Sequence, residues 1–279
     1  MKGQTVSITG LTAVIPLCRM SESTFGLKDT ILQAVEDGIE VILVVNNKIQ
    51  SEREQTKEAF TDIVSGNLSI IESQLQSPGE ARNLGIQACT TAYITFWDAD
   101  DYPLIAGVCD LTNKLSRNPT KNYGLGSFEI VNTKKVVLST HLMSENQNID
   151  ESIIRNPGIW RWIFRTEKIK GTEFQTFMMG EDQDFLADLN PQANEMIFNN
   201  VVTYKYVQGW GMQLTRNQRA IDDISLSLSY LFDKVKSQTG NHWHRKFLFR
   251  QLLTGVKRGS WKTKALAAKL FIKLMWTNE

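Results

Sequence analysis

The first hundred residues alternate between short apolar runs and longer stretches in which apolar residues recur every three or four positions. The apolar runs predict strands, and the stretches between them predict helices. The predicted strands are 11–17, 40–45, 68–73 and 93–97, with predicted helices at 24–38, 51–66 and 78–89. Because strand and helix alternate, the pattern predicts βαβ units, and therefore an α/β fold with a mostly parallel sheet flanked by helices.

The pattern changes after residue 102. A further helix is predicted at 103–117, two strands at 123–131 and 134–140, and another strand at 201–207. No internal repeat is found. We expect one α/β domain over 1–215, with halves at about 1–102 and 103–215, followed by a helical extension over 216–279.

Three aspartates follow the fourth predicted strand directly. Asp98 and Asp100 lie two residues apart, so an extended chain points both the same way, and Asp101 turns into the adjoining loop. Neighbouring carboxylates repel, and a hard divalent cation relieves that repulsion. Ligands of parallel sheets bind beyond the carboxyl ends of the strands. The cluster therefore indicates either a metal site or a solvated acidic turn.

A second acidic cluster, Glu181, Asp182 and Asp184, follows Gly180 at the expected start of a helix. Acids at that position commonly just complement the helix dipole. The functional alternative makes one of them a general base. The helix end would keep such a carboxylate ionised at neutral pH and would lower its basicity.

An aromatic and basic stretch occupies 158–169 and contains Trp160, Arg161 and Trp162. Indole rings stack on sugars, and arginine binds phosphate or carboxylate, so these residues are candidates for an acceptor site. Alternating large apolar residues are also typical of a buried strand, in which the rings fill the core. Both interpretations remain open from the sequence.

Composition restricts the class of protein. Hydrophobic residues make up 42% and charged residues 22%, which is ordinary globular usage. The three cysteines lack the number and spacing of a disulfide framework or a metal site, so we expect a reducing, cytoplasmic compartment. We recognise neither a signal peptide nor an apolar run long enough to span a membrane.

The charges are unevenly distributed. The chain has 31 Lys and Arg against 30 Asp and Glu, but residues 242–279 contain nine basic residues and one acid. From Trp261 a helix would separate a basic face from an apolar one containing Phe271, Ile272 and Met275. Such a helix fits an anionic membrane on its inner, cytoplasmic side. The alternative is a helix docked on the domain. The rest of the chain, residues 1–241, is net acidic, which argues against nucleic acid as a binding partner.

Several of these segments together resemble glycosyltransferase family 2. The segment PGEARNLGIQACTTAYITFWDADDYP is similar to the family's Ala-Arg-Asn-x-Gly helix followed by a strand ending in Asp-x-Asp-Asp. AVIPLCRM and EVILVVNNK resemble its first two strands, and GEDQDFLADL resembles its acceptor-side Glu-Asp motif. The resemblance covers about residues 11–210.

The resemblance implies a GT-A fold and an inverting transfer from a nucleotide-diphosphate sugar. The donor would bind in the half at about 1–102, and the acceptor in the half at about 103–215. It implies Asp182 as the catalytic base, with Glu181 beside it, and a Mn²⁺ or Mg²⁺ ion held by Asp100 and Asp101. The implied nucleotide-binding residues are Pro16, Asn46, Asn47, Arg82, Asp98 and Asp100. Asn46–Asn47–Lys48 replaces the Asp-Gly-Ser type of turn that many members carry, and uridine is the expected base.

The expected acceptor is a saccharide or lipid-linked hydroxyl in surface polysaccharide or lipopolysaccharide synthesis. A metal-dependent nucleotidyltransferase is an alternative, since it too needs an acid pair. It would be expected to carry a glycine-rich turn after the first strand, whereas LCRMSEST has no glycine. A non-catalytic sugar-binding protein is the other alternative, and the presence of both acidic clusters disfavours it.

Overall fold

The computed structural model describes residues 10–74, 77–145, 147–210 and 217–276. Within them, nine strands form one sheet with helices packed against it. The strands are β1 (Leu11–Leu17), β2 (Glu40–Asn46), β3 (Leu68–Ser73), β4 (Tyr93–Phe96), β5 (Tyr102–Pro103), β6 (Tyr123–Asn132), β7 (Val137–His141), β8 (Trp162–Arg165) and β9 (Met196–Gln208). The helices are α1 (Leu27–Glu36), α2 (Gln50–Glu58), α3 (Pro78–Ala88), α4 (Ile105–Ser116), α5 (Ile149–Arg155), α6 (Thr166–Ile169), α7 (Glu181–Leu189), α8 (Gln218–Asp222), α9 (Ile224–Lys236), α10 (His242–Arg258) and α11 (Trp261–Trp276).

The first four strands form the parallel part of the sheet, in the order β3-β2-β1-β4. Strand β1 lies between β2 and β4, and Val14 pairs with both Ile42 and Phe96. Helices cover both faces of these strands, which explains why β1 and β2 are apolar at nearly every position. The predicted βαβ architecture is confirmed, and all four carboxyl ends lie at one edge.

The other half of the sheet is mixed. Strand β8 pairs antiparallel with β4 and β6, β9 runs parallel to β6, and β5 and β7 pair antiparallel with β9 and β6. The strand predicted at 134–140 begins only at Val137. Its first residues form a turn in which Asn132 Oδ1 accepts hydrogen bonds from the Lys134 and Val136 N–H groups. Lys135 has a φ of 63° in that turn.

Helix α2 is shorter than predicted. It ends at Glu58, although the amphipathic pattern continues through Phe60 and Ile63, which are both buried. The chain continues in turns, with the Phe60 N–H donating to the Lys57 carbonyl and the Ile63 N–H to the Phe60 carbonyl. Because these turns keep a near-helical direction, the predicted inward residues still reach the core.

The C-terminal helices share the main core with the sheet. Leu228 of α9, Trp243 and Phe247 of α10, and Ala267 of α11 belong to the same buried apolar cluster as Phe96 of β4. The boundary expected at 215/216 lies in 211–216, outside the described residues. Among the helices described, none is both long and apolar enough to cross a bilayer.

Candidate functional site

Arg82 joins the two acidic clusters that the sequence places about 80 residues apart. It is the fifth residue of α3 and is 3% exposed. Its Nη2 donates to Asp98 Oδ1 at 2.9 Å, and its Nη1 donates to Glu181 Oε1 and Asp182 Oδ1, each at 2.9 Å. A single guanidinium therefore connects the end of β4 to the start of α7.

The start of α3 is fixed by a capping box, which determines where Arg82 points. Ser77 Oγ accepts from the Glu80 N–H at 3.1 Å, and Glu80 Oε2 accepts from the Ser77 N–H at 3.2 Å, with Pro78 in the first turn. Glu80 is thus engaged with Ser77. Both terminal nitrogens of Arg82 donate to the acidic clusters, so its expected contact with the nucleotide would require rearrangement of these bonds.

The three carboxylates outnumber the single guanidinium, and burial shifts the pKa values of Glu181 and Asp182. Burial, and then the charge of Asp182, raise the pKa of Glu181 to about 8. Burial also raises the pKa of Asp182, against the opposing charge of Arg82. Burial disfavours the charge of Arg82, but the three carboxylates outweigh it and raise the guanidinium pKa. Arg82 therefore stays charged, while Glu181 holds a proton more readily than an ordinary glutamate does.

The helix end is expected to lower the basicity of a carboxylate at this position, but the pKa of Asp182 is raised overall. Removal from water favours the neutral carboxyl more than the charge of Arg82 and the hydrogen bond from Ile159 favour the ionised form. The Ile159 N–H donates to Asp182 Oδ2 at 3.3 Å, so both carboxylate oxygens have a protein donor. A carboxylate with a raised pKa is the better proton acceptor near neutral pH.

Strand β9 holds the aspartate loop in place. The Asp98 N–H donates to Tyr204 Oη at 3.0 Å, and the Val207 N–H donates to Asp101 Oδ1 at 2.7 Å. The short strand β5, directly after Asp101, pairs with β9 as well. The sequence analysis missed Tyr204 and Val207. Nothing in the sequence singles out Tyr204, because Tyr206 follows it in the same alternation.

The aspartate loop gathers negative charge. Burial, followed by the charge of Asp98, raises the pKa of Asp100 to about 6. Burial and then Asp100 and Asp98 raise the pKa of Asp101, whose buried Oδ2 has no hydrogen-bond partner in the described part of the chain. Asp101 is 3% exposed, whereas Asp100 is half-buried.

These residues fit a divalent cation shared with a substrate. Over the described ranges, no three histidine, cysteine or acidic side chains are arranged to enclose an ion. Magnesium, however, is commonly bound by one or two carboxylates, with substrate phosphates and water completing the shell. Asp100, with its uncompensated charge, and the unpartnered oxygen of Asp101 match that donor set.

The nucleotide-side candidates lie at the ends of β1 and β2. Pro16 is the half-exposed position of an otherwise buried strand. Both polar groups of the Asn47 side chain form hydrogen bonds within the protein. Its Nδ2 donates to Glu52 Oε2 at 2.6 Å, and its Oδ1 accepts from the Ile49 N–H at 2.9 Å. Asn46 donates from Nδ2 to the Ser77 carbonyl at 3.3 Å, and its buried Oδ1 has no partner among the described residues.

The acceptor-side candidates are buried. Trp162 is completely buried in the core, which leaves no ring face for a sugar, and Arg161 is 2% exposed. Arg161 Nη2 donates to the Ser152 carbonyl at 3.1 Å, and burial lowers the pKa of its guanidinium to about 9. Trp160 stacks on Tyr204 at a centroid distance of 4.6 Å. The core interpretation of this stretch is therefore correct for Trp162, and Trp160 and Arg161 contribute to packing.

The C-terminal helices support the start of α7. Gly180, which precedes α7, has a φ of 102°, and a Cβ there would lie 2.7 Å from Ser227 Cβ. Ser227 of α9 donates from Oγ to Asp184 Oδ1 at 2.8 Å, and Arg250 of α10 donates from Nη1 to Gln183 Oε1 at 2.9 Å. Helices α9 and α10 therefore hold the helix that carries Glu181 and Asp182 in place.

Solved structures share this fold. TarS of S. aureus, residues 1–349 in complex with UDP-GlcNAc, matches with a TM-score of 0.62 and 14% identity, over 94% of this chain and 79% of TarS 1–349. The mannosyltransferase PcManGT of Pyrobaculum calidifontis, in complex with GDP-Man and Mn²⁺, matches with a TM-score of 0.55 and 13% identity, over 95% and 80% of the two chains. At these identities the likeness shows the fold, and it confirms the expected GT-A type. A search of curated proteins gave no match.

A model of one sequence family also matches. The family is glycosyl transferase family 2, and the match spans residues 24–179. That range contains Arg82 and the aspartate loop and ends just before Glu181. Because the match covers more than half of the chain, the protein belongs to glycosyltransferase family 2 and is a glycosyltransferase.

Proposed function

We propose that this enzyme moves a sugar from a nucleotide-diphosphate donor to a hydroxyl of a saccharide or lipid-linked acceptor, with inversion at the anomeric carbon. The main support for this proposal is the guanidinium of Arg82, which holds Asp98 beside Glu181 and Asp182. Inversion requires a charge-stabilising group on the leaving-group side and a separate base for the acceptor. The two clusters supply these groups within one site.

The donor half is proposed at the ends of β1 and β2. The neighbours bind UDP-GlcNAc or GDP-Man according to their descriptions. A UDP-sugar is the proposed donor, and the unpartnered Oδ1 of Asn46 can accept a hydrogen bond from the N3–H of uracil. Pro16 would line the pocket, and Asn47 would act by fixing the loop that presents Asn46.

Asp100 and Asp101 would hold a Mn²⁺ or Mg²⁺ ion against the diphosphate. Such an ion, when bound, stabilises the negative charge that develops on the leaving group. Asp98, fixed by Arg82 and by the Tyr204 hydroxyl, keeps the aspartate loop in register with the donor half.

Asp182 would accept the proton of the attacking hydroxyl. Its raised pKa suits that role, and loss of such a base typically costs about 10²–10⁴ in rate. Glu181, whose pKa is also raised, can when protonated donate a hydrogen bond to an acceptor oxygen and so orient it.

A test of the proposed function is turnover of a panel of nucleotide sugars with and without Mn²⁺. We expect release of nucleoside diphosphate from one or two donors, and release that depends on the ion. Asp182→Asn should leave donor affinity intact and reduce turnover by at least about 10². Asp100→Ala and Asp101→Ala should abolish ion-dependent donor binding.

The same panel separates the alternatives. A nucleotidyltransferase would instead release pyrophosphate from a nucleoside triphosphate, and a non-catalytic sugar-binding protein would bind without turnover. Near-normal turnover in Asp182→Asn would place the base elsewhere.

We also propose that the protein acts in surface polysaccharide or lipopolysaccharide synthesis, as a peripheral protein on the inner face of the cell membrane. Support comes from α11, which is docked through Thr263, Ala267 and Leu270 yet exposes a second apolar stripe with Trp261 and Ile272. Beside that stripe lies a row of exposed lysines, Lys262, Lys269 and Lys273. Exposed tryptophan, isoleucine and lysine together suit an anionic lipid surface.

A further inference from the structure

A groove runs between α5 and α10, apart from the acidic clusters. It consists of two adjoining hollows of about 510 and 370 Å³, which share Asn148 and Glu151 as lining residues. The larger hollow is walled by Ile154 of α5 and Phe249 of α10, and the smaller one ends at Asn156. Together they have the size of a site for more than one sugar ring.

The smaller hollow ends close, along the chain, to a segment that contacts the proposed base. Asn156, which lines that hollow, is three residues before Ile159, whose N–H donates to Asp182 Oδ2 at 3.3 Å. Consecutive Cα atoms are 3.8 Å apart, so the Cα atoms of Asn156 and Ile159 lie within about 11 Å. The end of the groove and the contact with Asp182 therefore belong to one short stretch of the chain.

The lining has the chemistry that binds saccharides. Phe249 is 56% exposed, although it lies on a helix whose opposite face fills the core. An exposed ring can cover the apolar face of a sugar, and Asn148 and Glu151 are amide and carboxylate groups that can bind hydroxyls. This combination was not evident in the sequence, because Phe249 comes from α10, about a hundred residues after α5.

The charges of the groove leave one cation uncompensated. Lys246 pairs with Asp150, and Arg155 pairs with Glu151. Arg245 is exposed and lines the larger hollow, and it forms neither an ion pair nor a side-chain hydrogen bond with the described residues. A guanidinium in that position favours a ligand that carries carboxylate or phosphate.

We propose that this groove is the binding site for an acidic saccharide acceptor, with Phe249 stacking on a sugar ring and Arg245 binding a negative substituent. The proposal deepens the proposed function and rests on it, since it names the acceptor class. It also replaces the aromatic stretch at 160–162 as the expected acceptor surface, because those side chains are buried.

Binding to defined oligosaccharides tests the groove without turnover. The probes are an oligogalacturonate, a phosphorylated malto-oligosaccharide and a neutral malto-oligosaccharide of equal length, titrated calorimetrically into the full-length protein. We expect at least one acidic probe to bind about tenfold or more tighter than the neutral one. Which acidic probe binds better decides between carboxylate and phosphate as the substituent.

Matched variants locate the site. Phe249→Ala should weaken every probe about tenfold, and Arg245→Gln should remove the preference for acidic probes. Leu253→Ala is the control, because Leu253 is 47% exposed one turn further along the same stripe of α10 and lies outside the groove lining. It should bind all probes like the unmodified protein.

Results that contradict the groove proposal can be distinguished from results that contradict the proposed function. Equal binding of acidic and neutral probes, no binding of any probe, or unaltered binding by Phe249→Ala and Arg245→Gln would overturn the groove proposal. Nucleotide-sugar turnover without acceptor is measured in parallel, and it should be normal in the unmodified protein and in Leu253→Ala. Absence of that turnover in the unmodified protein would instead refute the proposed function.

Discussion

At the scale of single residues, the site depends on one cation among several carboxylates. Arg82 is almost fully buried and donates to Asp98, Glu181 and Asp182 at once. A planar guanidinium with donors in a fixed fork can do this, whereas an ammonium acts as a point charge on a flexible stem. Arg82 thus positions acids that come from distant parts of the chain.

Arg82→Lys is therefore expected to reduce transfer by roughly tenfold or more while preserving net charge, because the two clusters lose their common partner. Steady-state kinetics with a fixed donor would measure it. Arg250→Lys is the matched control, since Arg250 also bonds α7 but through the neutral Gln183. Equal losses in the two variants would indicate that Arg82 contributes only to packing.

Asp184 is expected to make the stability of the folded protein depend on pH. It is completely buried, its Oδ1 accepts from Ser227, and its Oδ2 has no partner among the described residues, so burial raises its pKa well above the ordinary value. A carboxyl with a raised folded-state pKa costs no stability below its unfolded pKa near 4, and the cost grows as pH rises toward the folded pKa.

Asp184→Asn should therefore gain stability relative to the unmodified protein as pH rises from 5 to 8, by up to about 1.4 kcal/mol per pH unit. Urea denaturation at several pH values would measure this. Asp222→Asn serves as the control, because hydrogen bonds from the Ser260 N–H and the Thr263 hydroxyl lower the pKa of Asp222. Its effect should be constant over the same range. A pH-independent difference for Asp184→Asn would contradict the prediction.

At the scale of secondary-structure elements, the start of α7 is the critical junction. The helix carries Glu181 and Asp182, and it is held by α9 and α10 as well as by Arg82. Gly180 allows this approach in two ways, since its positive φ suits glycine and its missing side chain leaves room for Ser227. The close contact between α7 and α9 depends on that glycine.

Gly180→Ala should destabilise the protein more than Gly171→Ala, by roughly 1–3 kcal/mol, because the added methyl group meets Ser227. Gly171 has a similar φ of 96° and nothing within 4 Å of its would-be Cβ, so it reports backbone strain alone. Thermal unfolding and transfer rate would be measured for both. Similar unfolding free energies would show that α7 tolerates displacement.

At the scale of the whole molecule, the basic C-terminal segment is both part of the core and a surface. Trp243, Phe247 and Ala267 are buried with the sheet, so deletion of 242–279 would expose the core and would not isolate a membrane function. The exposed stripe of α11 can be changed without that damage.

Vesicle sedimentation tests the membrane proposal. We expect binding to vesicles with about 30% anionic lipid and weak binding to zwitterionic vesicles, since each lysine near an anionic surface contributes about 1 kcal/mol. Trp261→Ser and Ile272→Ser should each reduce the bound fraction. Val64→Ser, at a 96% exposed apolar position elsewhere, is the control. Equal binding by all variants would refute a role for α11.

The strand–helix alternation, the parallel sheet and the two acidic clusters can be predicted from the sequence, because apolar periodicity and strand-end polarity are local properties. The sequence could not show that Arg82 joins those clusters, since a guanidinium finds its partners only after the chain has folded. The burial of Trp162, the supporting role of Tyr204 and the groove between α5 and α10 were also decided by tertiary structure. Each depends on contacts between segments far apart in the chain, and the raised pKa values of Glu181 and Asp182 depend on the burial that those contacts create.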